Sequence, residues 1–110
     1  MDIQISHEQQ ASIVAVSGKL DTLTAPAYEK AVTELIDSGT TQMVIDFSEL
    51  SYISSAGLRS LLVTAKMLKS KSGKLALANV TGGVRDVFEM AGFGSIFAMY
   101  DSIPAALEGL

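Results

Sequence analysis

The stretch QMVIDFSELSYISSAGLRSLL, residues 42–62, combines two different hydrophobic patterns. Its first part, Gln42–Phe47, is almost continuously apolar, which predicts a buried β-strand. From Leu58 onward the apolar residues recur at helical intervals, which predicts an amphipathic α-helix. Two adjacent serines, Ser54 and Ser55, lie where the strand passes into the helix. Their hydroxyls could cap the helix, accept a phosphate or perform chemistry.

The rest of the chain extends this alternation of strands and helices in both directions. The polar segment 6–10, which contains His7, is predicted to be a hairpin turn between the first two strands. Further strands are predicted at Ile3–Ile5, Ser12–Gly18, Lys74–Asn79 and Ile96–Tyr100. The order β-β-α-β-α-β-α-β-α predicts an α/β fold. We expect a mixed, largely parallel sheet of about five strands, with about four helices and an N-terminal β-hairpin.

Capping residues and helical spacing define the predicted helices. The first, third and fourth helices have expected N-caps at Thr24, at Thr81, and at Asp101 or Ser102. Glycines end the first three helices at Gly39, Gly73 and Gly92. Spacing places Ser60 on the solvent side of the second helix, with Arg59, Lys66 and Lys69. It places Val84, Val87, Phe88 and Ala91 on the inner side of the third.

Composition limits the class of protein. The 110 residues suit one domain, residues 1–110, and 48% of them are hydrophobic, which is enough for an ordinary core. Cysteine is absent and His7 is the single histidine, so thiol chemistry and Cys- or His-rich metal sites are excluded. The net charge of −4 gives no electrostatic signature for nucleic acid or for an anionic membrane. Without a signal peptide or a long apolar run, we expect a soluble, cytoplasmic protein.

Two segments that join a strand to a helix have unusual sequences, GKLDTLTAP at 18–26 and SELSYISSAG at 48–57. In a parallel sheet, both would lie at the carboxyl ends of strands, where ligands and partners bind. We expect them on the same side of the molecule if their strands are neighbours. A cluster of lysines, Lys66 to Lys74, is interpreted as a solvated helix face rather than a binding patch.

Catalytic chemistry finds little support in the sequence. The motif G-x-S-x-G is absent, and His7 in the first turn supplies no obvious base for a serine nucleophile. Neither the phosphate-loop motif nor the dinucleotide motif occurs, so no cofactor is expected. Asp21 and Asp46 each have a structural explanation, and too few other ligands accompany them for a metal site. We therefore expect a protein that is not an enzyme.

Phosphorylation suits the serine pair better than catalysis does. Unpaired N–H groups and the helix dipole at a helix N-terminus favour a negative charge. A phosphate there would change the surface charge without unfolding the domain. Because serine is also a common N-cap, local physics leaves open whether either serine is more than a cap.

These segments together resemble the STAS family, named for sulfate transporters and anti-sigma factor antagonists, and the stand-alone bacterial antagonists most closely. The matching stretches are VSGKLDTLTA at 16–25, MVIDFSELSYISSAGLRSLL at 43–62, GKLALANV at 73–80 and VRDVFEMAGF at 84–93. The resemblance implies a partner switch. The unphosphorylated antagonist binds an anti-sigma factor, which is a serine kinase with a histidine-kinase-like ATPase fold, and the sigma factor is released. Phosphorylation by that kinase ends binding, and a serine phosphatase resets the switch.

The family motif is commonly Asp-Ser-Ser-Gly, with the phosphate on its first serine. That serine corresponds to Ser55, while Ser54 replaces the Asp and becomes a rival acceptor. The resemblance also implies that Asp21 shares the partner-facing surface with Ser55. The full set of expected partner-binding residues is Asp21, Thr22, Tyr52, Ser54, Ser55 and Gly57.

Other roles for the same fold stay open at this stage. One is a docking subunit of a transport complex that needs no phosphorylation, and another is membership of a larger stress-signalling assembly. We expect neither nucleic acid nor a membrane as partner, and we expect a monomer in the free state.

Overall fold

The computed structural model describes residues 1–110 and contains one five-stranded sheet with the strand order β1-β2-β3-β4-β5. β1 is antiparallel to β2, and the remaining neighbours are parallel. The α/β class, the mixed sheet, the four helices and the N-terminal hairpin are thus confirmed. The elements are β1 Asp2–Glu8, β2 Ala11–Leu20, α1 Ala25–Asp37, β3 Gln42–Ile53, α2 Ser55–Ser70, β4 Lys74–Ala78, α3 Gly82–Met90, β5 Met99–Tyr100 and α4 Ile103–Gly109.

The helices cover the two faces of the sheet unequally. α1, α2 and α3 pack on one face, where their buried side chains join those of the central strands in a core of 19 residues. α4 covers part of the opposite face, with Ala106 packed against Ile13, Val44 and Ala76. This layering explains the near-continuous apolar sequences of the central strands, which are buried on both faces.

β3 is much longer than the apolar stretch Gln42–Phe47 that predicted it. It continues to Ile53 because its second half pairs with the end of β2, where register shifts follow Ala15 and Gly18. The expectation that segment 48–57 forms a loop between strand and helix was therefore wrong, because residues 48–53 belong to β3 and α2 begins at Ser55. Backbone pairing continues there even though several side chains are polar and exposed.

Two strand boundaries were also predicted wrongly. His7 lies in β1, opposite Ser12, and only Gln9 and Gln10 form the turn, with Gln9 in the left-handed region at φ 56°. β5 comprises only Met99 and Tyr100, because the preceding residues 94–97 form a turn and a bend instead of extended strand.

Polar side chains join α1 to α2. Ser60 was predicted to face solvent, but it is 2% exposed and donates a hydrogen bond to Glu29 at 2.8 Å. Thr64 donates to the Ser60 carbonyl at 3.0 Å, so its hydroxyl accepts the Tyr28 proton at 2.8 Å. In α3 the prediction for Ala91 was wrong, since Ala91 is the exposed C-cap. The buried hydroxyls on α2 explain why hydrophobic spacing alone misplaced Ser60.

Titration of Tyr28 provides a test of this packing. Burial raises the pKa of the Tyr28 hydroxyl well above its usual value of about 10. Above about pH 10, Tyr28 loses its proton in the unfolded chain but keeps it in the native protein. The free energy of unfolding therefore falls as the pH rises, by at most ~1.4 kcal/mol per pH unit. We expect Tyr28→Phe to remove this part of the alkaline loss. Urea denaturation between about pH 8 and about pH 11 measures the effect, and equal losses in both proteins would contradict it.

Candidate partner-docking site

The carboxyl ends of β2 and β3 bring the two unusual segments together. Leu20 is paired with Ile53, and the Ser54 N–H donates to the Leu20 carbonyl at 3.0 Å. The turn that follows Leu20 therefore lies beside the start of α2. The proximity expected for segments 18–26 and 48–57 is confirmed, although the second segment is mostly strand.

The adjacent serines have different structural roles. Ser54 is the N-cap of α2, is half-buried, and accepts the Gly57 N–H at 3.3 Å. Ser55 is the first helical residue, is exposed, and its hydroxyl makes no hydrogen bond within the chain. The capping function thus belongs to Ser54, while the Ser55 hydroxyl is free to react. Ser54 can cap the helix as well as the Asp of the resembled motif would, because Asp and Ser are comparable N-cap residues.

The charge around Ser55 suits an added anion. The first turn of α2 contains no acidic residue, and the positive end of the helix dipole lies there. Arg59 follows Ser55 by four residues, which places the two on neighbouring surface positions with Cβ atoms about 5–6 Å apart. Arg59 is exposed, and Arg85–Glu89 is the one salt bridge of the chain, so Arg59 is not already paired.

Asp21 organises the turn between β2 and α1. Its carboxylate accepts the Leu23 N–H at 3.0 Å and the Thr24 N–H at 3.2 Å. Thr24 occupies the expected N-cap position, but its side chain does not cap α1. Instead, its hydroxyl accepts the Asp21 N–H at 2.9 Å and donates to the Lys19 carbonyl at 2.8 Å. The Asp21 side chain therefore already has partners within its own turn.

The other expected partner-binding residues divide into exposed and buried groups. Thr22 is exposed, and Tyr52, which pairs with Lys19, is 47% exposed. Gly57 is buried, and a Cβ atom there would lie 2.6 Å from the Leu20 carbonyl oxygen and 2.8 Å from Ile53 Cγ1. Gly57 is thus required where α2 packs closely against the ends of both strands.

Leu23 was not among the residues selected from the sequence. Its side chain is 89% exposed in the turn next to Asp21. The sequence does contain a sign of this exposure, because the leucine lies within the otherwise polar run DTLT, residues 21–24. An exposed leucine alone is common, however, so only the structure distinguishes it.

The residues considered for catalysis or metal binding lie in other surroundings. No cluster of three potential metal-ligating side chains occurs, and Asp46 is instead hydrogen-bonded to Ser48 and Asn79. His7 is paired with Ser12, eight residues of β2 away from Leu20, which corresponds to about 26 Å along a strand. The lysines at 66, 69, 71 and 74 are all exposed, as expected. None of the helices has the length and apolar character that a membrane crossing requires.

Fold and site together define an α/β domain whose distinctive groups lie at the carboxyl ends of two parallel strands. Residues 2–106 match the STAS domain, and the chain therefore belongs to the STAS family. BtrV of Bordetella bronchiseptica, provisionally named an anti-sigma factor antagonist, is 39% identical over 94 residues. That alignment covers 86% of this chain and 81% of BtrV.

Solved structures support the same fold. A provisionally named anti-sigma factor antagonist from Thermotoga maritima matches with a TM-score of 0.91 and 21% identity, covering 97% of this chain and 92% of its own. The anti-sigma factor antagonist SpoIIAA, in its unphosphorylated form, matches with a TM-score of 0.75 and 21% identity over 98% of this chain and 96% of its own. The phosphorylated form of Bacillus SpoIIAA matches with the same TM-score and identity over 99% and 100%.

The division between the two serines can be tested by stability measurements. Ser54→Ala removes the cap and should lower the free energy of unfolding by about 1 kcal/mol. Ser55→Ala removes an exposed hydroxyl without partners and should change it by less than about 0.5 kcal/mol. Urea denaturation of both variants makes the comparison. An equal loss in both would mean that Ser54 is not the cap.

The close approach at Gly57 gives a second test. Gly57→Ala inserts a methyl group against the Leu20 carbonyl and should destabilise the protein by about 1–3 kcal/mol. Gly83→Ala is the matched control, because Gly83 is also helical and a Cβ atom there has nothing within 4 Å. Thermal unfolding compares the two variants. Equal melting temperatures would contradict the close packing.

Proposed function

We propose that this protein is an anti-sigma factor antagonist controlled by phosphorylation at Ser55. The unphosphorylated form binds an anti-sigma factor that is also a serine kinase with a histidine-kinase-like ATPase fold, and the sigma factor is released. Phosphorylation of Ser55 ends binding, and a serine phosphatase restores the first state. In this role the protein is a binding partner and a kinase substrate in the cytoplasm, not an enzyme. It acts as a single STAS domain over residues 1–110.

The observation that carries the proposal is the exposed, unbonded Ser55 hydroxyl at the N-terminus of α2. The neighbouring Ser54 hydroxyl caps the helix by accepting a hydrogen bond from the Gly57 N–H. Ser54 is therefore less available than Ser55 to receive a phosphate. A phosphate of about −1.5 to −2 charge on Ser55 is compatible with the helix end. The names of BtrV and SpoIIAA, and the solved phosphorylated form of SpoIIAA, agree with this type of regulation.

The proposed kinase-binding surface consists of the residues selected from the sequence. The exposed residues contact the kinase, and the less exposed ones hold the surface in place. Thr22, Tyr52 and Ser55 are exposed and suited to direct contact. Ser54 and Gly57 contribute by fixing the start of α2. A dianion in the middle of such a surface must be desolvated or repelled on binding, so phosphorylation weakens the complex without refolding the domain.

The experiment incubates the protein with ATP and a candidate anti-sigma factor kinase from the same organism, and then measures intact mass and maps peptides. We expect one phosphate within Leu50–Arg59, on Ser55. Ser55→Ala should bind the kinase as the wild type does but acquire no phosphate, while Ser55→Glu should bind more weakly.

Two outcomes would change the proposal. Phosphorylation of Ser55→Ala that disappears only when Ser54 is also replaced would move the acceptor to Ser54. Stable binding to a transport protein without any phosphorylation would favour the docking-subunit role instead.

A further inference from the structure

The Asp21 turn presents a large apolar side chain to solvent. Leu23 is 89% exposed, and its own N–H is bound to the Asp21 carboxylate. Burying a leucine side chain out of water is a favourable gain, and Leu23 does not make that gain within the chain. Nothing within the chain covers this side chain, so that gain is available to a binding partner.

Hydrogen bonds hold the turn in one conformation. The Asp21 carbonyl accepts the Ala25 N–H at 2.8 Å, while its carboxylate accepts the N–H groups of Leu23 and Thr24. The Thr24 hydroxyl ties the turn back to the Lys19 carbonyl at 2.8 Å. A turn that is already ordered loses little backbone entropy on binding, which favours affinity.

The turn is continuous with the site of the proposed switch. It begins immediately after Leu20, whose carbonyl holds the Ser54 N–H. Tyr52 pairs with Lys19 on the neighbouring strand and adds a half-exposed aromatic ring at the same edge. Leu23 and Tyr52 thus supply apolar area at the edge that carries Ser55.

We propose that Leu23 is the apolar anchor of the kinase complex and that Asp21 is a positioning residue rather than a charge contact. This inference rests on the proposed function. It requires an apolar pocket on the kinase surface that receives Leu23 when Ser55 is unphosphorylated. Interfaces concentrate their binding energy in a few such buried side chains, surrounded by polar contacts. The Asp21 carboxylate acts through the turn, by fixing where the Leu23 side chain lies.

The anchor is tested with the serine kinase that phosphorylates the wild-type protein. Leu23→Ala should weaken binding by about tenfold or more in isothermal titration calorimetry. Met90→Ala is the matched control, because Met90 is 88% exposed but lies at the end of α3. We expect that control to bind within about twofold of the wild type. In kinase assays Leu23→Ala should raise KM with little change in kcat, because Ser55 itself is intact.

Two Asp21 variants separate positioning from charge. Asp21→Asn keeps a side-chain oxygen that can accept from the Leu23 and Thr24 N–H groups, but it removes the charge. Asp21→Ala removes both. We expect Asp21→Asn to bind the kinase within about threefold of the wild type. Asp21→Ala should lose about as much affinity as Leu23→Ala does. Amide exchange at Leu23 and Thr24 should accelerate only in Asp21→Ala.

The outcomes distinguish this inference from the proposed function. If the wild type binds the kinase and is phosphorylated at Ser55, but Leu23→Ala binds equally well, the anchor role of Leu23 is overturned and the proposed function stands. An equal loss in Asp21→Asn and Asp21→Ala would overturn the positioning role and assign Asp21 a direct charge contact. Failure of the wild type to bind any such kinase would overturn the proposed function and the anchor together.

Discussion

The hydrogen bond from the Ser54 N–H to the Leu20 carbonyl links the two strand ends on which the site depends. It closes the parallel pairing of β2 with β3 at the point where both strands end. The same carbonyl lies so close to Gly57 that a Cβ atom there would come within 2.6 Å of it. One peptide group therefore determines where α2 starts and where the Asp21 turn begins. A larger residue at Gly57 would have to displace the helix or the strand.

The two adjacent serines have separate roles, because one supports the fold and the other has a free hydroxyl. Ser54 satisfies a backbone N–H of the helix, and Ser55 stays exposed without an internal partner. A reaction at Ser55 consequently changes charge at the surface while the cap and the strand pairing stay intact. A switch of this type needs no second conformation of the domain, because repulsion at the interface is sufficient. In the proposed switch, the family fold supplies a rigid frame, and phosphorylation of the Ser55 hydroxyl supplies the regulation.

The sequence predicted the architecture well because strand and helix periodicities alternate clearly along the chain. It also predicted that segments 18–26 and 48–57 would lie on the same side of the molecule if their strands were neighbours, since parallel strands end at the same edge of a sheet. It failed where tertiary contacts override local pattern, as in the polar second half of β3 and at buried Ser60. Spacing could not distinguish the capping serine from the free one, nor reveal that the Asp21 carboxylate is occupied within its turn. Those assignments depend on hydrogen bonds between side chains and backbone, which no periodicity encodes.

The most direct test of the proposed switch is hydrogen–deuterium exchange of the unphosphorylated protein, alone and in complex with a serine kinase that phosphorylates it. If the switch operates at this edge, new protection will be confined to the ends of β2 and β3, that is, the segments 19–25 and 52–59. Stoichiometric phosphorylation at Ser55 should then abolish this protection, while exchange in the central strands stays unchanged. Protection centred on α3 and α4, or faster exchange throughout β3 and α2 after phosphorylation, would contradict a surface switch at this edge.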